Sequence, residues 1–480
     1  MLQLKTWQVT AGSAVLGLVL ATGAVTAAGP WDSGQRKAER ALAAAHERPG
    51  GTHHAGNPGR RPAAPAPAPS AAAVLPALAA PGAVPGGQGL AARLDPLVRD
   101  PALGSLRTAA VYDTATGTRL YGERPDRAMT PASTTKIATA VAALSALGPD
   151  HRIPTRVVLP PPTPEAAPVG RDVQRVVLVG GGDPTLGEAG LRVLAERTAR
   201  AVSERGATRV AVTFDTSLYT GPVLHPIGRN PNIAPVVPLM TDEARLDRSE
   251  HGPAERSSDP AGDTARAFAA LLNQRGIRTV SAPVPGTAPK GSVAVATTHS
   301  RPVSALVERM LTNSDNDLAE ALARQTALAA HLPASFDGAS QAMTARLKQL
   351  GLPVAGARFA DGSGLNRADR LSADLLTRLL ALAADPDHPE LRPVLTGLPV
   401  AGFSGTLADR YAPDTAGTGL VRAKTGTLTG VDTLAGTVVD ADGRLLTFAF
   451  LSSGTLSPVA RPALDRLASA LTTCGCTRAP

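Results

Sequence analysis

Strand-like patterns stand at both ends of the folded part of the chain, with helical ones between them. Near its start, residues 108–113 and 118–121 read as two strands joined by Thr114-Ala115-Thr116-Gly117, a hairpin. Near its end, residues 419–423, 433–439 and 444–451 read as three more, the last two joined across Asp442-Gly443. Helical periodicity fills residues 133–147, 302–311, 317–330, 339–350 and 372–383, and returns at 458–471. Strands from opposite ends of a chain share a sheet only if those ends meet in space. The expected class is therefore α/β, an antiparallel sheet with a helical domain packed on it. From about 151 to 300 the texture changes to strands, Gly/Pro turns and one amphipathic helix at 263–274. That stretch reads as a large inserted domain, dividing the main fold into a first part at 90–150 and a second at 301–472.

The segment ahead of this region has a different character. After Lys5 the chain runs apolar from Val9 to Ala28, a length that suits a secretory signal or a single membrane anchor. Val25-Thr26-Ala27 offers a cleavage site, whereas Arg36, Lys37 and Arg40 just beyond the run are less typical of an exported flank. Both readings put the rest of the chain outside the cytoplasm, in the cell wall or on the outer face of the membrane. Residues 29–89 are rich in Ala, Pro and Gly, as in Arg61-Pro62-Ala63-Ala64-Pro65. They read as a disordered, extended spacer, with His53 and His54 its surface decoration.

Charge and cysteine content narrow the classes. There are 48 Lys plus Arg against 40 Asp plus Glu, a formal net charge of +8, but aromatics make up only 3% and the arginines are scattered. A nucleic-acid surface is not expected from that pattern. Two cysteines, Cys474 and Cys476 in a tail at 473–480, can build neither a disulfide scaffold nor a four-thiolate zinc site. The histidines of the folded region, His151, His225, His251, His299, His331 and His388, have no metal-like spacing and are expected to be mostly exposed. Nearly all the positive charge is arginine, so each of the six lysines is notable.

Two of those lysines sit in short polar motifs. Ser133-Thr134-Thr135-Lys136 opens the helix that continues Ile137-Ala138-Thr139-Ala140-Val141. Residues three apart share a helix face, so the amine reaches the hydroxyl, and a lysine in so apolar a helix is desolvated toward a usable base. Ser314-Asp315-Asn316 falls at a polar break between two helices, where a hydroxyl and an amide can relay a proton and hold a substrate amide. Lys424-Thr425-Gly426-Thr427 ends the strand that begins at Gly419, a Gly-opened edge suited to an anionic terminus. No cofactor or metal is required by these groups.

In this order, S-x-x-K, S-D-N and K-T-G, the set resembles the serine acyl-transferases of the penicillin-binding protein and active-site-serine β-lactamase superfamily. The long segment between Ser133 and Ser314 narrows the resemblance. It contains Val176-Val177-Leu178-Val179-Gly180-Gly181-Gly182-Asp183-Pro184, which lacks the Gly-Lys-Ser/Thr of a phosphate loop and is similar to the inserted domain of the type-4 penicillin-binding proteins, D-Ala-D-Ala carboxypeptidases/endopeptidases. Asp361-Gly362-Ser363-Gly364-Leu365 and Gly405-Thr406-Leu407 are also similar to that family, over roughly residues 90–472.

The resemblance implies a β-lactamase/transpeptidase-like fold and a serine-type hydrolase acting on peptidoglycan stem peptides. Ser133 would be the nucleophile, Lys136 its base, and Ser314 the proton donor to the leaving D-alanine. Asn316 would orient Lys136 and the substrate amide, Lys424 would supply positive potential, and Thr425 and Thr427 would bind the terminal carboxylate. Backbone N–H groups of Ser133 and Thr427 would form the oxyanion hole. β-Lactam antibiotics would stall the enzyme at the acyl stage, and membrane contact would be confined to the N-terminal segment. A serine β-lactamase shares the motifs, but no Glu-x-x-Leu-Asn element is found; a non-catalytic cell-wall binding protein is the other alternative.

Overall fold

A computed structural model describes residues 87–162, 173–455 and 458–474. The expected export segment, most of the expected spacer and Cys476 lie outside the described residues. The chain is helical from Gly87, within the stretch expected to be spacer: α1 (Gly87–Val98) leads into the hairpin of β1 (Leu106–Asp113) and β2 (Arg119–Glu123). A short 3₁₀ turn, Ala132–Thr134, then opens α2 (Thr135–Leu147).

Next come β3 (Pro154–Leu159), β4 (Val173–Val179), α3 (Glu188–Ser203), β5 (Arg209–Asp215), α4 (Pro260–Gln274), the two-residue strands β6 (Arg278–Thr279) and β7 (Val284–Pro285), and β8 (Val293–His299). Helices follow at α5 (Val303–Asn313), α6 (Asn316–Ala329), α7 (Phe336–Gln349) and α8 (Ala373–Ala384). The chain closes with β9 (Arg422–Leu428), β10 (Val431–Val439), β11 (Leu445–Ser453) and α9 (Ala460–Thr472), after a one-turn helix at Pro393–Thr396.

The two chain ends do meet in one antiparallel sheet of order β2-β1-β11-β10-β9, with β1 paired along β11 from Leu106↔Ser453 to Asp113↔Leu446. Both faces of this sheet are covered. Ala110 and Tyr112 on β1 and Ala449 and Leu451 on β11 pack on the helical side, among α2, α5, α6, α7 and α8. The alternate residues, Ala109, Val111, Phe448 and Phe450, pack against α1 and α9. The period of two thus sends successive side chains into two separate cores. Cys474 lies in the second of these. Helix α2 is apolar all round and central to the first core, with Ile137, Ala138, Ala140, Val141, Ala142, Ala143 and Leu144 fully buried.

The segment between these halves builds a second sheet, of order β6-β5-β4-β3-β8 with β7 also on β5. It is mixed: β3 pairs antiparallel with β4 and β8, whereas β4 and β5 are parallel across α3. Two helices therefore pack on it, not the single one expected. The additional helix, α3, buries Leu191, Leu194, Ala195, Thr198, Ala199 and Val202. The Gly180-Gly181-Gly182 backbone is occupied by protein partners: Gly180 N–H donates to Asp215, Gly182 N–H donates to Pro238, and the Gly181 carbonyl accepts from Gln325 Nε2 of α6 at 2.8 Å. The loop docks the second sheet onto the main fold. Among the described residues no helix is long and apolar enough to cross a membrane.

Candidate active site

Ser133 sits in the 3₁₀ turn that feeds α2. The residue before it, Ala132, takes a left-handed φ of 49°, uncommon for a residue with a Cβ and costly enough that its surroundings must enforce it. Two glycines press on the backbone of this turn. A Cβ on Gly364 would lie 1.9 Å from the Ala132 carbonyl oxygen, and a Cβ on Gly426 of β9 would lie 2.7 Å from the Pro131 carbonyl oxygen. Thr433 of β10 donates to that Pro131 carbonyl at 2.8 Å. The turn is thereby gripped between the Asp361–Gly364 loop and the edge of the main sheet.

Lys136 is wholly buried, and its Nζ has three hydrogen-bond partners: Ser133 Oγ at 3.0 Å, Asn316 Oδ1 at 2.6 Å and the Ser363 carbonyl at 2.7 Å. Two of these can only accept, so they must receive N–H bonds. Ser133 alone can donate. A neutral amine has two N–H groups and one lone pair, so this trio aims the lone pair at the serine hydroxyl. Burial pushes the lysine down to about 8, against the upward pull of Asp361, Asp315, Glu320 and Asp317. The site holds a base matched to neutral pH.

Asn316 is the first residue of α6, behind the N-cap Asp315. Its Nδ2 donates to the Asn232 carbonyl at 2.8 Å, a contact from the chain between β5 and α4. Ser314 takes a left-handed conformation at the end of α5 and lines a cleft of about 370 Å³ together with Ser133, Asn316, Thr425 and Thr427. Lys424, Thr425, Gly426 and Thr427 lie within β9, not at its end as expected, because Gly419–Val421 form the turn that leads into the strand. β9 is an edge strand. Thr425 Oγ1 donates to Thr406 Oγ1 at 2.8 Å, and Thr427 Oγ1 to Asp432 Oδ1 at 3.1 Å.

Lys424, expected to supply positive potential, is not among the residues that line the cleft. It is wholly buried, with Nζ donating to the Thr425 carbonyl at 2.7 Å, and burial, Lys136 and Arg410 together hold it well below the usual lysine range. The permanent positive charges on the cleft wall are guanidinium groups, among them Arg410 and Arg461.

Sequence reasoning also missed what lies beneath Lys136. Asp361 is buried and accepts from Gly364 N–H at 2.6 Å, Asn366 N–H at 2.7 Å and Ser363 Oγ at 3.1 Å. Glu320 accepts from the N–H groups of Gly362 and Ser363, both at 3.0 Å, and faces Arg324 at 3.0 Å. Its position four residues after Asn316 on α6 was the one signal available. His225 is the exception to the expected exposure: most of the other described histidines are exposed, but this one is buried, with Nε2 2.8 Å from Asp361 Oδ2. Among the described residues two acidic groups have ligand atoms close enough to hold a metal, His225 with Glu320 and Asp361, and Glu243 with Asp315 and Asp317. The first is saturated by backbone donors and Arg324; in the second every carboxylate faces Arg245, Arg256 or Arg309. Both are ion-pair networks.

A serine joined to a buried lysine at a helix N-terminus, beside the edge of an antiparallel sheet, defines a serine acyl-transfer enzyme of the penicillin-binding class. The model of the D-Ala-D-Ala carboxypeptidase 3 (S13) family matches residues 90–247 and 246–473, and the chain belongs to that family. It is a serine-type D-Ala-D-Ala carboxypeptidase, a hydrolase. A carboxypeptidase of Mycobacterium tuberculosis is 38% identical over 448 residues, 89% of this chain and 92% of the relative. Carboxypeptidase DacB of Mycolicibacterium smegmatis is 37% identical over 437 residues, 86% of this chain and 90% of the relative. Among solved structures, penicillin-binding protein 4 of Haemophilus influenzae superposes with a TM-score of 0.65 at 20% identity, over 80% of this chain and 98% of that one, and shares its fold. The same protein complexed with a β-lactam gives 0.60 at 22% identity, over 79% and 98%.

Proposed function

We propose that Ser133 is acylated by the penultimate D-alanine of a peptidoglycan stem peptide, releasing the terminal D-alanine, and that water then hydrolyses the acyl-enzyme. The observation that carries this reading is the Lys136 hydrogen-bond set: two obligate acceptors and one hydroxyl around a buried amine. The neutral amine takes the Ser133 proton as Oγ attacks the carbonyl carbon. The α2 N-terminus, with the backbone N–H groups of Ser133 and Thr427, stabilises the oxyanion. Ser314, facing the same cleft, relays that proton from Lys136 to the departing amine nitrogen. Asn316 fixes Lys136 through Oδ1, and its Nδ2 is already engaged by Asn232, leaving one N–H for the substrate carbonyl.

Beyond Ala423, whose N–H donates to the Pro399 carbonyl, the edge of β9 is open to an extended peptide, with Thr425 and Thr427 at the carboxylate end and Arg410 and Arg461 supplying its positive potential. In a β-lactam the leaving nitrogen stays tethered to the acyl group, so the adduct persists; the Haemophilus protein was solved with such a compound. Cleavage of cross-linked dimers uses the same acyl donor chemistry and belongs to the proposal. So does an extracytoplasmic location, supported by the apolar run at residues 9–28. Mass spectrometry of stem-peptide monomers and cross-linked dimers tests the assignment. Wild type is expected to remove one D-alanine from monomers and to split dimers, and Ser133→Ala to do neither. D-alanine release that survives Ser133→Ala would overturn it.

A further inference from the structure

Two of the three groups that hold Lys136 are themselves held by a single strap from the second, inserted part of the fold. The strap runs from Val223 to Val236 and closes on itself, with Val236 N–H donating to the Val223 carbonyl at 2.7 Å. Its far end fixes Asn316: the Asn232 carbonyl accepts from Asn316 Nδ2 at 2.8 Å, and Ala234 N–H donates to Asp317 Oδ1 at 2.9 Å. Its near end reaches the other acceptor through Asp361. His225 Nδ1 accepts from the N–H of Ile227 at 3.2 Å, so the proton is on Nε2 and is donated to Asp361 Oδ2 at 2.8 Å. Asp361 in turn gathers the N–H groups of Gly364 and Asn366 and the Ser363 hydroxyl, which sets the direction of the Ser363 carbonyl toward Lys136.

The His225 ring is locked in place. It is fully buried, edge-to-face with Phe336 at 5.5 Å between centroids, and Arg324 lies over the Phe336 ring at 4.2 Å. The charged groups around it are Asp361 and Glu320, with Arg324 paired to Glu320 and the buried carboxyl of Asp369 hydrogen-bonded to Asp361. Those around Lys136 are Asp361, Glu320, Asp315 and Asp317, with Lys424 on β9. The catalytic serine, lysine and asparagine all belong to the main fold. The part that aims them does not.

We infer that His225 is a positioning residue for Lys136, and that the 223–236 strap makes activation of Ser133 depend on the inserted segment being docked. The inference rests on the lysine-base reading above. His225 touches neither substrate nor the reacting atoms; it acts through Asp361 and the Ser363 carbonyl. Without its N–H the Asp361–Gly364 loop loosens, water reaches Lys136 and the amine returns toward an ordinary lysine. Acylation is then lost at neutral pH and regained in base.

The test is the acylation rate by a fluorescent penicillin between pH 6 and 10, for wild type, His225→Met and His225→Gln, with thermal melting as the control for folding. His225→Met, which keeps bulk and removes the donor, is expected to acylate about tenfold or more slowly at pH 7. Its acidic limb is expected to move upward and its rate to approach wild type near pH 10. His225→Gln, which returns an N–H toward Asp361, is expected to restore the wild-type limb. A rate and limb unchanged in the Met variant would overturn the inference, as would a loss by the same factor at every pH. If the Met variant does not fold, the Gln variant decides: a wild-type limb supports the inference and a displaced one overturns it. Failure of wild type to label would instead sink the lysine-base reading.

Discussion

Lys136 and Ser133 are joined by a 3.0 Å hydrogen bond that no solvent reaches from the lysine side. Burial sets the lysine at about 8, so below that pH the amine is protonated and cannot take the serine proton. Acylation is therefore expected to rise as pH rises, about tenfold per unit well below 8, and to level off above it. The pH dependence of second-order acylation by a penicillin checks this. A flat profile from pH 6 to 9 would contradict it.

Lys136→Arg separates charge from basicity. A guanidinium keeps its proton across the accessible range, so the variant keeps the cation and loses the base. Acylation is expected to fall by about 10²–10⁴-fold, with no recovery at high pH. Recovery at pH 10 would show that the lysine serves only as a charge.

Gly364→Ala tests the grip on the turn before α2. Gly364 has φ +83°, and the added methyl would lie 1.9 Å from the Ala132 carbonyl oxygen, which is backbone and cannot step aside. Strain and clash together are expected to cost about 2 kcal/mol or more. Denaturant unfolding measures that loss, and acylation should fall with it because Ser133 follows Ala132. Wild-type stability would mean that the loop does not set the turn.

Glu320→Ala removes one partner of a buried pair and leaves Arg324 uncompensated, along with the N–H groups of Gly362 and Ser363. The expected loss is about 3–5 kcal/mol. Truncating Arg266, whose ion pairs with Asp259 and Asp263 are exposed, is expected to cost less than about 1 kcal/mol. Equal effects in denaturant melts would contradict this ranking.

What the sequence revealed and what it hid divide along the range of the interactions. The meeting of Ser133 with Lys136 follows from their i,i+3 spacing across the 3₁₀ turn that opens α2, and the shared sheet follows from the strand-like runs at 108–113 and 444–451. These are local signals. The β9 start was misplaced because apolar Leu420 and Val421 continue the strand-like pattern, although Gly419 takes φ +76° and the segment turns. Helix α3 escaped because its apolar positions are separated by Arg and Glu in a stretch full of Gly and Pro. His225 gave no local sign at all: its partner lies 136 residues further along the chain. The Asn232 and Ser363 contacts run through backbone carbonyls, which any residue type supplies. Nothing in residue identity announces them.

The most direct measurement is to react the protein with a β-lactam and locate the adduct by peptide mapping and intact mass. One drug molecule bound to the hydroxyl of Ser133, persisting over minutes and absent from a folded Ser133→Ala variant, is the expected result. An adduct on another residue, or full labelling of that variant, would contradict acyl transfer through Ser133.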